Sequence, residues 1–123
     1  MTSILVADDE ADILESMQLV LTMEGFTVTT VLDAKRILPT LRKVRPDVLL
    51  QDINMPGLDP AKLIPEIRAE PSLKKMRVLV FTASVDSESI CERLGADGYI
   101  QKPFDASRIK GAINRFLRNK KGT

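Results

Sequence analysis

The sequence predicts an α/β fold in which helices cover both faces of a five-stranded parallel sheet. Short apolar runs alternate with helical patterns five times along the chain, which is the order expected of repeated βα units. The length of 123 residues is typical of one domain, and the 44% of hydrophobic residues is enough to form a core. The chain is therefore expected to form five successive βα units.

The first half of the chain contains three predicted strands and two predicted helices. They are β1 (4–7), α1 (13–23), β2 (26–31), α2 (33–45) and β3 (48–50). The β1 run is short and continuously apolar, as in a strand buried on both faces. The α1 apolar residues recur at helical spacing, and Gly25 supplies the stop. The β2 segment is rich in β-formers and alternates, which indicates an edge strand. The α2 helix ends before Pro46.

The second half contains the remaining elements. They are α3, which begins at residue 60, β4 (78–81), α4 (86–94), β5 (99–100) and α5 (105–118). Asp59 followed by Pro60 is typical of a helix N-cap with proline at the first helical position. Gly95 is expected to close α4. Pro39 and Pro65 fall inside α2 and α3, where each is expected to kink or shorten its helix.

Composition excludes several classes of protein. The net charge of +1, from 18 basic and 17 acidic residues, lacks the basic footprint of nucleic-acid binding. The single cysteine excludes an internal disulfide framework and suits the reducing cytoplasm. Because the chain has no histidine, it cannot use a histidine base, a histidine-ligated zinc or a phosphohistidine of its own. No apolar run approaches the roughly 18–20 residues of a membrane span, so no membrane association is expected.

The charge is unevenly distributed along the chain. Residues 1–33 contain seven acids and no Lys or Arg, whereas residues 105–123 contain six bases and one acid. The residues between them contain twelve bases and nine acids. A chain that is almost neutral overall is therefore expected to have an acidic site and a basic face.

Polar side chains follow four of the predicted strands. Asp8 and Asp9 follow β1, Asp52 follows β3, Thr82 follows β4 and Lys102 follows β5. Ligands of open α/β sheets bind beyond the carboxyl ends of the strands, so these side chains are expected to converge. Three neighbouring carboxylates repel each other unless a cation is present, and Mg²⁺ prefers oxygen ligands of this kind. One aspartate could then act as a nucleophile towards phosphorus.

Four motifs around these residues resemble the response-regulator receiver domain family, in its CheY-like, single-domain form. The motifs are VADDE at 6–10, DVLLQDINMPG at 47–57, FTA at 81–83 and GADGYIQKPF at 95–104. The separations match as well, with 44 residues from Asp8 to Asp52, 30 more to Thr82 and 20 more to Lys102. The resemblance extends from about residue 3 to residue 116. It implies a flavodoxin-like (βα)5 three-layer sandwich with strand order 2-1-3-4-5.

The resemblance also implies roles in a phosphoryl-transfer site. Asp52 is similar to the phosphoacceptor of the family, and Lys102 to the cation that pairs with the phosphoryl group. The implied ligands of Mg²⁺ are Asp8, Asp9, Asp52 and the main-chain carbonyl of Asn54. The bond between Lys102 and Pro103 is expected to be cis, which would position the lysine.

Other residues resemble the switch of the family. Thr82 corresponds to the hydroxyl that turns towards the phosphoryl group. Tyr99 corresponds to the aromatic residue whose rotamer is coupled to the position of that threonine. Asn54 and Ser84 occupy positions that tune dephosphorylation in the family. The switch is expected to act on the α4–β5–α5 face. Candidate readout residues on that face are Glu88, Glu92, Arg93, Tyr99, Arg108 and Lys110.

The implied function is that of a receiver in two-component signal transduction. A sensor histidine kinase or a histidine phosphotransfer protein would donate the phosphoryl group, and an unknown downstream protein would read the switch. The chain would be a monomer or a phosphorylation-dependent dimer. It would be a switch with Mg²⁺-dependent autophosphorylation and autodephosphorylation only, and not otherwise an enzyme. Residues 1–119 are predicted to form the receiver and residues 120–123 a tail.

Four alternatives remain open at this point. The chain could be a degenerate receiver that acts as a scaffold or dimerisation module, or the receiver fragment of a longer multidomain regulator. It could also be a phosphatase with an aspartate nucleophile, although such enzymes usually place one residue between their two acids and carry a cap domain. A flavodoxin-like FMN protein is the fourth, although the acidic first loop would repel phosphate.

Overall fold

A computed structural model describes the backbone of residues 2–102 and 106–122 and the side chains of residues 2–102 and 108–117. The strands are β1 (Ser3–Ala7), β2 (Thr27–Val31), β3 (Val48–Asp52), β4 (Arg77–Thr82) and β5 (Gly98–Gln101). The helices are α1 (Ala11–Met23), α2 (Ile37–Val44), α3 (Pro60–Ala69), α4 (Ser87–Leu94) and α5 (Ala106–Gly122). Strands and helices alternate in the predicted order.

The five strands form one parallel sheet of order β2-β1-β3-β4-β5, which confirms the predicted fold class. In the centre of the sheet, Leu5 of β1 lies opposite Thr29 on one side and Leu49 on the other. The β2 strand is at the edge, as its alternating pattern predicted, and its Thr27 is exposed. Strand order reverses between β1 and β3, so the loops that follow these two strands diverge and leave a crevice between them.

The side chains of the sheet pack into one core on each face. Leu5 and Leu49 belong to the core beneath α2, α3 and α4. Their neighbours Ile4 and Leu50 belong to the core beneath α1 and α5. This alternation follows from the two-residue period of a strand, and it produces the predicted three-layer sandwich. The two cores together therefore fix the ends of the strands. They also fix the positions of the residues that follow each strand.

The helix ends confirm the predicted caps at Asp59 and Gly95 and correct the predicted start of α2. The Asp59 carboxylate accepts the Ala61 N–H at 3.1 Å, with Pro60 at the first position of α3. Gly95 ends α4 with a φ of 78°. The predicted helix over 33–45 is instead a 3₁₀ turn over Ala34–Arg36 followed by α2 from Ile37. This division places Pro39 in the first turn of α2, where a backbone N–H has no partner within the helix.

Pro65 lies inside α3, which nevertheless continues to Ala69. The last helix also differs from its prediction. α5 continues to Gly122, beyond the expected end near residue 118 and into the predicted tail of 120–123. Among the described residues, no helix is both long enough and apolar enough to span a membrane.

Candidate functional site

Three carboxylates meet at the carboxyl ends of the central strands. Asp8 directly follows β1, and Asp52 is the last residue of β3, so the parallel pairing of these strands places the two side by side. Together with Asp9, each offers an oxygen, and the three oxygens lie within 4.8 Å of one another. The convergence predicted from the strand ends is therefore present.

The three carboxylates differ in burial. Asp8 is fully buried and Asp52 is 3% exposed, whereas Asp9 is exposed. The loops hold the buried pair, because Asp8 Oδ1 accepts the Glu10 N–H at 2.9 Å and Asp52 Oδ1 accepts the Asn54 N–H at 3.2 Å. The site is thus a fixed acidic pair with a third carboxylate at the solvent side.

Lys102 supplies a positive charge to this cluster. Its Nζ lies 3.2 Å from Asp8 Oδ2 and 3.5 Å from Asp52 Oδ1. The backbone of Lys102 is held as well, since its N–H donates to the Thr82 carbonyl at 2.8 Å. The ammonium also lies 5.9 Å from the centre of the Phe81 ring, within the range of a cation–π contact.

The electrostatics favour an additional cation. Burial raises the pKa of Asp52, and the negative charge of Asp8 and a hydrogen bond with Asp9 raise this pKa further. The Asn54 N–H and Lys102 act in the opposite direction, but the pKa still lies above its ordinary value. Burial and the neighbouring carboxylates therefore disfavour the charged form of Asp52 more than the Asn54 N–H and Lys102 favour it. An all-oxygen donor set of this kind fits a hard divalent cation such as Mg²⁺.

Thr82 ends β4 beside the carboxyl end of β3 and is 1% exposed. Its Oγ1 accepts the Ser84 N–H at 3.0 Å. The Ser84 carbonyl in turn accepts the Ser87 hydroxyl at 2.6 Å and the Gln101 amide at 3.1 Å. Ser87 and Gln101 were not predicted to contribute. They tie the loop after β4 to both α4 and β5.

Tyr99 lies on β5 with 38% of its surface exposed. It borders a groove between α4 and α5 that Glu88, Glu92 and Arg115 also line, and it shares a second groove with Arg108. These residues therefore lie on the predicted α4–β5–α5 face.

Lys110 was expected on the α4–β5–α5 face, but its Nζ lies 2.7 Å from Glu24, which follows α1. Its ion pair therefore faces α1 instead. The predicted cis bond between Lys102 and Pro103 lies outside the described residues.

Sequence reasoning also missed Gln51, a fully buried polar residue next to Asp52. The available signal was a glutamine that directly follows the apolar run 48–50 within a central strand. A polar side chain in such a position needs a hydrogen-bond partner inside the protein.

Comparisons with known proteins agree with this geometry. A family model described as the response regulator receiver domain matches residues 4–114. The transcriptional regulatory protein PrrA of Mycobacterium leprae is 34% identical over 120 residues, which cover 98% of this chain and 52% of that protein. The DNA-binding response regulator MtrA of the same species is 32% identical over 94% of this chain and 51% of that protein. The chain spans about half the length of these curated relatives.

The solved structure of the chemotaxis response regulator CheY4 of Vibrio cholerae has the same fold. Its TM-score is 0.87 at 26% identity, covering 94% of this chain and 98% of that one. Receiver domains of two-component systems are phosphorylation-dependent switches, and this chain belongs to the response regulator receiver domain family.

Proposed function

We propose that the chain accepts a phosphoryl group on Asp52 and then transfers it to water. Both reactions depend on Mg²⁺ and are assisted by residues of this chain. The observation that carries this proposal is the cluster of Asp8, Asp9 and Asp52 oxygens within 4.8 Å, with Lys102 beside its two buried members. Asp8, Asp9, Asp52 and the Asn54 carbonyl would hold the metal ion. When bound, Mg²⁺ supplies positive charge to the phosphoryl oxygens.

In the forward reaction, a carboxylate oxygen of Asp52 attacks phosphorus and forms an O–P bond. The bond from phosphorus to the donor breaks, and the donor leaves with the electron pair. Phosphoryl transfer depends mainly on positioning and on charge neutralisation. The Asn54 N–H holds one Asp52 oxygen, and Lys102 can exchange its contact with Asp52 for one with the phosphoryl group.

The switch would begin at Thr82. The phosphoryl group adds about −1.5 to −2 charge next to β4. The Thr82 hydroxyl would donate to a phosphoryl oxygen, and rotation of the side chain towards that oxygen would move Oγ1 relative to the Ser84 N–H that it now accepts. Tyr99 would follow this movement, and the grooves beside it would change shape for a downstream protein. Asn54 and Ser84 would tune the lifetime of the phosphoryl group.

The donor would be a phosphohistidine on a sensor kinase or phosphotransfer protein in the cytoplasm, as the family implies, and the absence of histidine from this chain is consistent with a separate donor. The prediction that the chain makes no direct contact with nucleic acid concerns these 123 residues alone, since the relatives of about twice its length include a DNA-binding response regulator. The chain would be a monomer or a dimer that forms on phosphorylation.

Acetyl phosphate with Mg²⁺ tests the function without a kinase. Wild type is expected to gain the mass of one phosphoryl group, and to gain none when EDTA is present. Asp52→Asn should remain unmodified, whereas Asp12→Asn, which alters an exposed acid in α1, should behave as wild type. Equal labelling of wild type and Asp52→Asn would refute the assignment of Asp52, and an unlabelled wild type would refute the proposed activity.

A further inference from the structure

Gln51 is a fully buried polar residue that the proposed reaction does not use. All five residues of β3 are buried, and Gln51 has no exposed surface. It directly precedes Asp52 and lies opposite Ala7 in β1 and Val80 in β4. Its partners are therefore confined to the interior beneath the site.

The Gln51 amide holds the turn that follows β3 at two points. Nε2 donates to the Asp52 carbonyl oxygen at 2.9 Å and to Met55 Sδ at 3.2 Å. Met55 is itself 4% exposed and belongs to the core beneath α3. The two contacts lie on either side of residue 54, so one side chain restrains both ends of the segment that carries it.

Core stability does not explain this glutamine. Among the described residues, no donor reaches Gln51 Oε1, and a buried oxygen without a partner costs free energy. Methionine has a similar volume and would avoid that cost. What the glutamine provides, and methionine could not, is an amide NH₂ group that donates to both the Asp52 carbonyl and Met55 Sδ.

We propose that Gln51 is a positioning residue for the Mg²⁺ site, an inference that rests on the proposed function. By holding the Asp52 carbonyl and Met55, it keeps the turn in the conformation in which the Asn54 N–H donates to the Asp52 carboxylate. The Asn54 carbonyl is held in the same segment. A turn that is already ordered loses less conformational freedom when the cation binds, so affinity is higher.

Gln51→Met tests this role. It removes both donors and the unpaired oxygen at nearly constant volume. We expect the Mg²⁺ dissociation constant of the full chain, measured by titration calorimetry, to rise about tenfold, as for other residues that orient metal ligands. Without Mg²⁺, the midpoint of urea unfolding should change little, because the loss of the unpaired oxygen offsets the loss of the hydrogen bond to the Asp52 carbonyl. If Gln51 only filled the core, its substitution would not weaken Mg²⁺ binding while leaving the midpoint of urea unfolding unchanged.

Two further variants make the result decisive. Leu49→Met changes a buried side chain two residues earlier on the same face of β3, and should leave Mg²⁺ affinity unchanged. Met55→Leu removes one acceptor of the amide, should weaken Mg²⁺ binding by a smaller factor, and decides the question should Gln51→Met not fold.

The possible outcomes distinguish a failure of the proposed role of Gln51 from a failure of the proposed function. Wild-type affinity in Gln51→Met would overturn the role of Gln51 and leave Asp52 phosphorylation standing. An equal loss of affinity in Leu49→Met would also overturn it. A wild-type chain that binds no Mg²⁺ would contradict the proposed function itself, and the positioning role with it.

Discussion

Lys102 Nζ lies 3.2 Å from Oδ2 of Asp8, a fully buried carboxylate 94 residues earlier in the chain. The lysine side chain keeps 22% of its surface exposed, so this ion pair joins the interior to the edge of the site. It offsets part of the negative charge of the acidic cluster, and it holds the ammonium beside Asp52.

Loss of this ammonium should destabilise the metal-free protein. Lys102→Met leaves a buried carboxylate without its cation, which we expect to lower the free energy of unfolding by on the order of 3 kcal/mol. Urea unfolding in EDTA measures the loss, and saturating Mg²⁺ should restore part of it. Lys110→Met is the matched control, because its ion pair with Glu24 is exposed and should contribute less than about 1 kcal/mol. Equal losses in the two variants would contradict this account.

Asp52 should make the stability of the metal-free protein depend on pH. Burial raises its pKa above the ordinary value of 3.8, so the folded state binds a proton more readily than the unfolded state. The contribution of Asp52 is then most favourable below about pH 4, and is lost as the pH rises through the raised pKa. Asp52→Asn should therefore stabilise the protein at pH 7 in EDTA and flatten its profile between pH 4 and 7.

Urea unfolding across that range checks this prediction, with Asp12→Asn as the exposed control. A loss of stability in Asp52→Asn at neutral pH would show that attraction to Lys102 outweighs burial.

Gly98 is required for the approach of α5 to β5. A Cβ at this position would collide with the Phe116 ring, whereas one at Gly111 would meet no atom within 4 Å. We expect Gly98→Ala to cost roughly 1–3 kcal/mol of stability through overpacking. Gly111→Ala, in the same helix as Phe116, should instead gain roughly 0.5–1 kcal/mol. Thermal unfolding of both variants and of Gly98→Ala/Phe116→Leu checks this, since the smaller side chain should recover part of the loss.

Asp97 links three segments at the end of the sheet opposite the acidic site. Its carboxylate accepts hydrogen bonds from Arg68 at 2.7 Å, Arg77 at 3.2 Å and the Val78 N–H at 2.8 Å. Asp97→Ala removes all three and should lower the free energy of unfolding by roughly 1.5–3 kcal/mol.

The control for Asp97→Ala is Glu70→Ala, which removes a single ion pair with the more exposed Arg42 and should cost less than about 1 kcal/mol. Phosphorylation by acetyl phosphate should persist in Asp97→Ala at temperatures where the variant is folded. Its loss there would place Asp97 in the reaction rather than in the fold.

Local patterns predicted most of the secondary structure. The buried strand β1, the edge strand β2 and the Asp59 cap were each predicted from near neighbours in the chain, and the structure confirms all three. The errors were at helix ends. A 3₁₀ turn precedes α2 and α5 is longer than expected, because helix ends depend on packing as well as on local propensity.

The sequence by itself determined the five βα units, and its four spaced motifs indicated the family and the set of acids around Asp52. Tertiary structure alone decided that Lys102 pairs with Asp8, that Lys110 faces Glu24, and that the Gln51 amide holds the turn after β3. The physical reason is that secondary structure follows a period of two or 3.6 residues that can be read along the chain. A side-chain hydrogen bond between distant residues has no such period. It depends on the register of the strands and on how each helix packs against them.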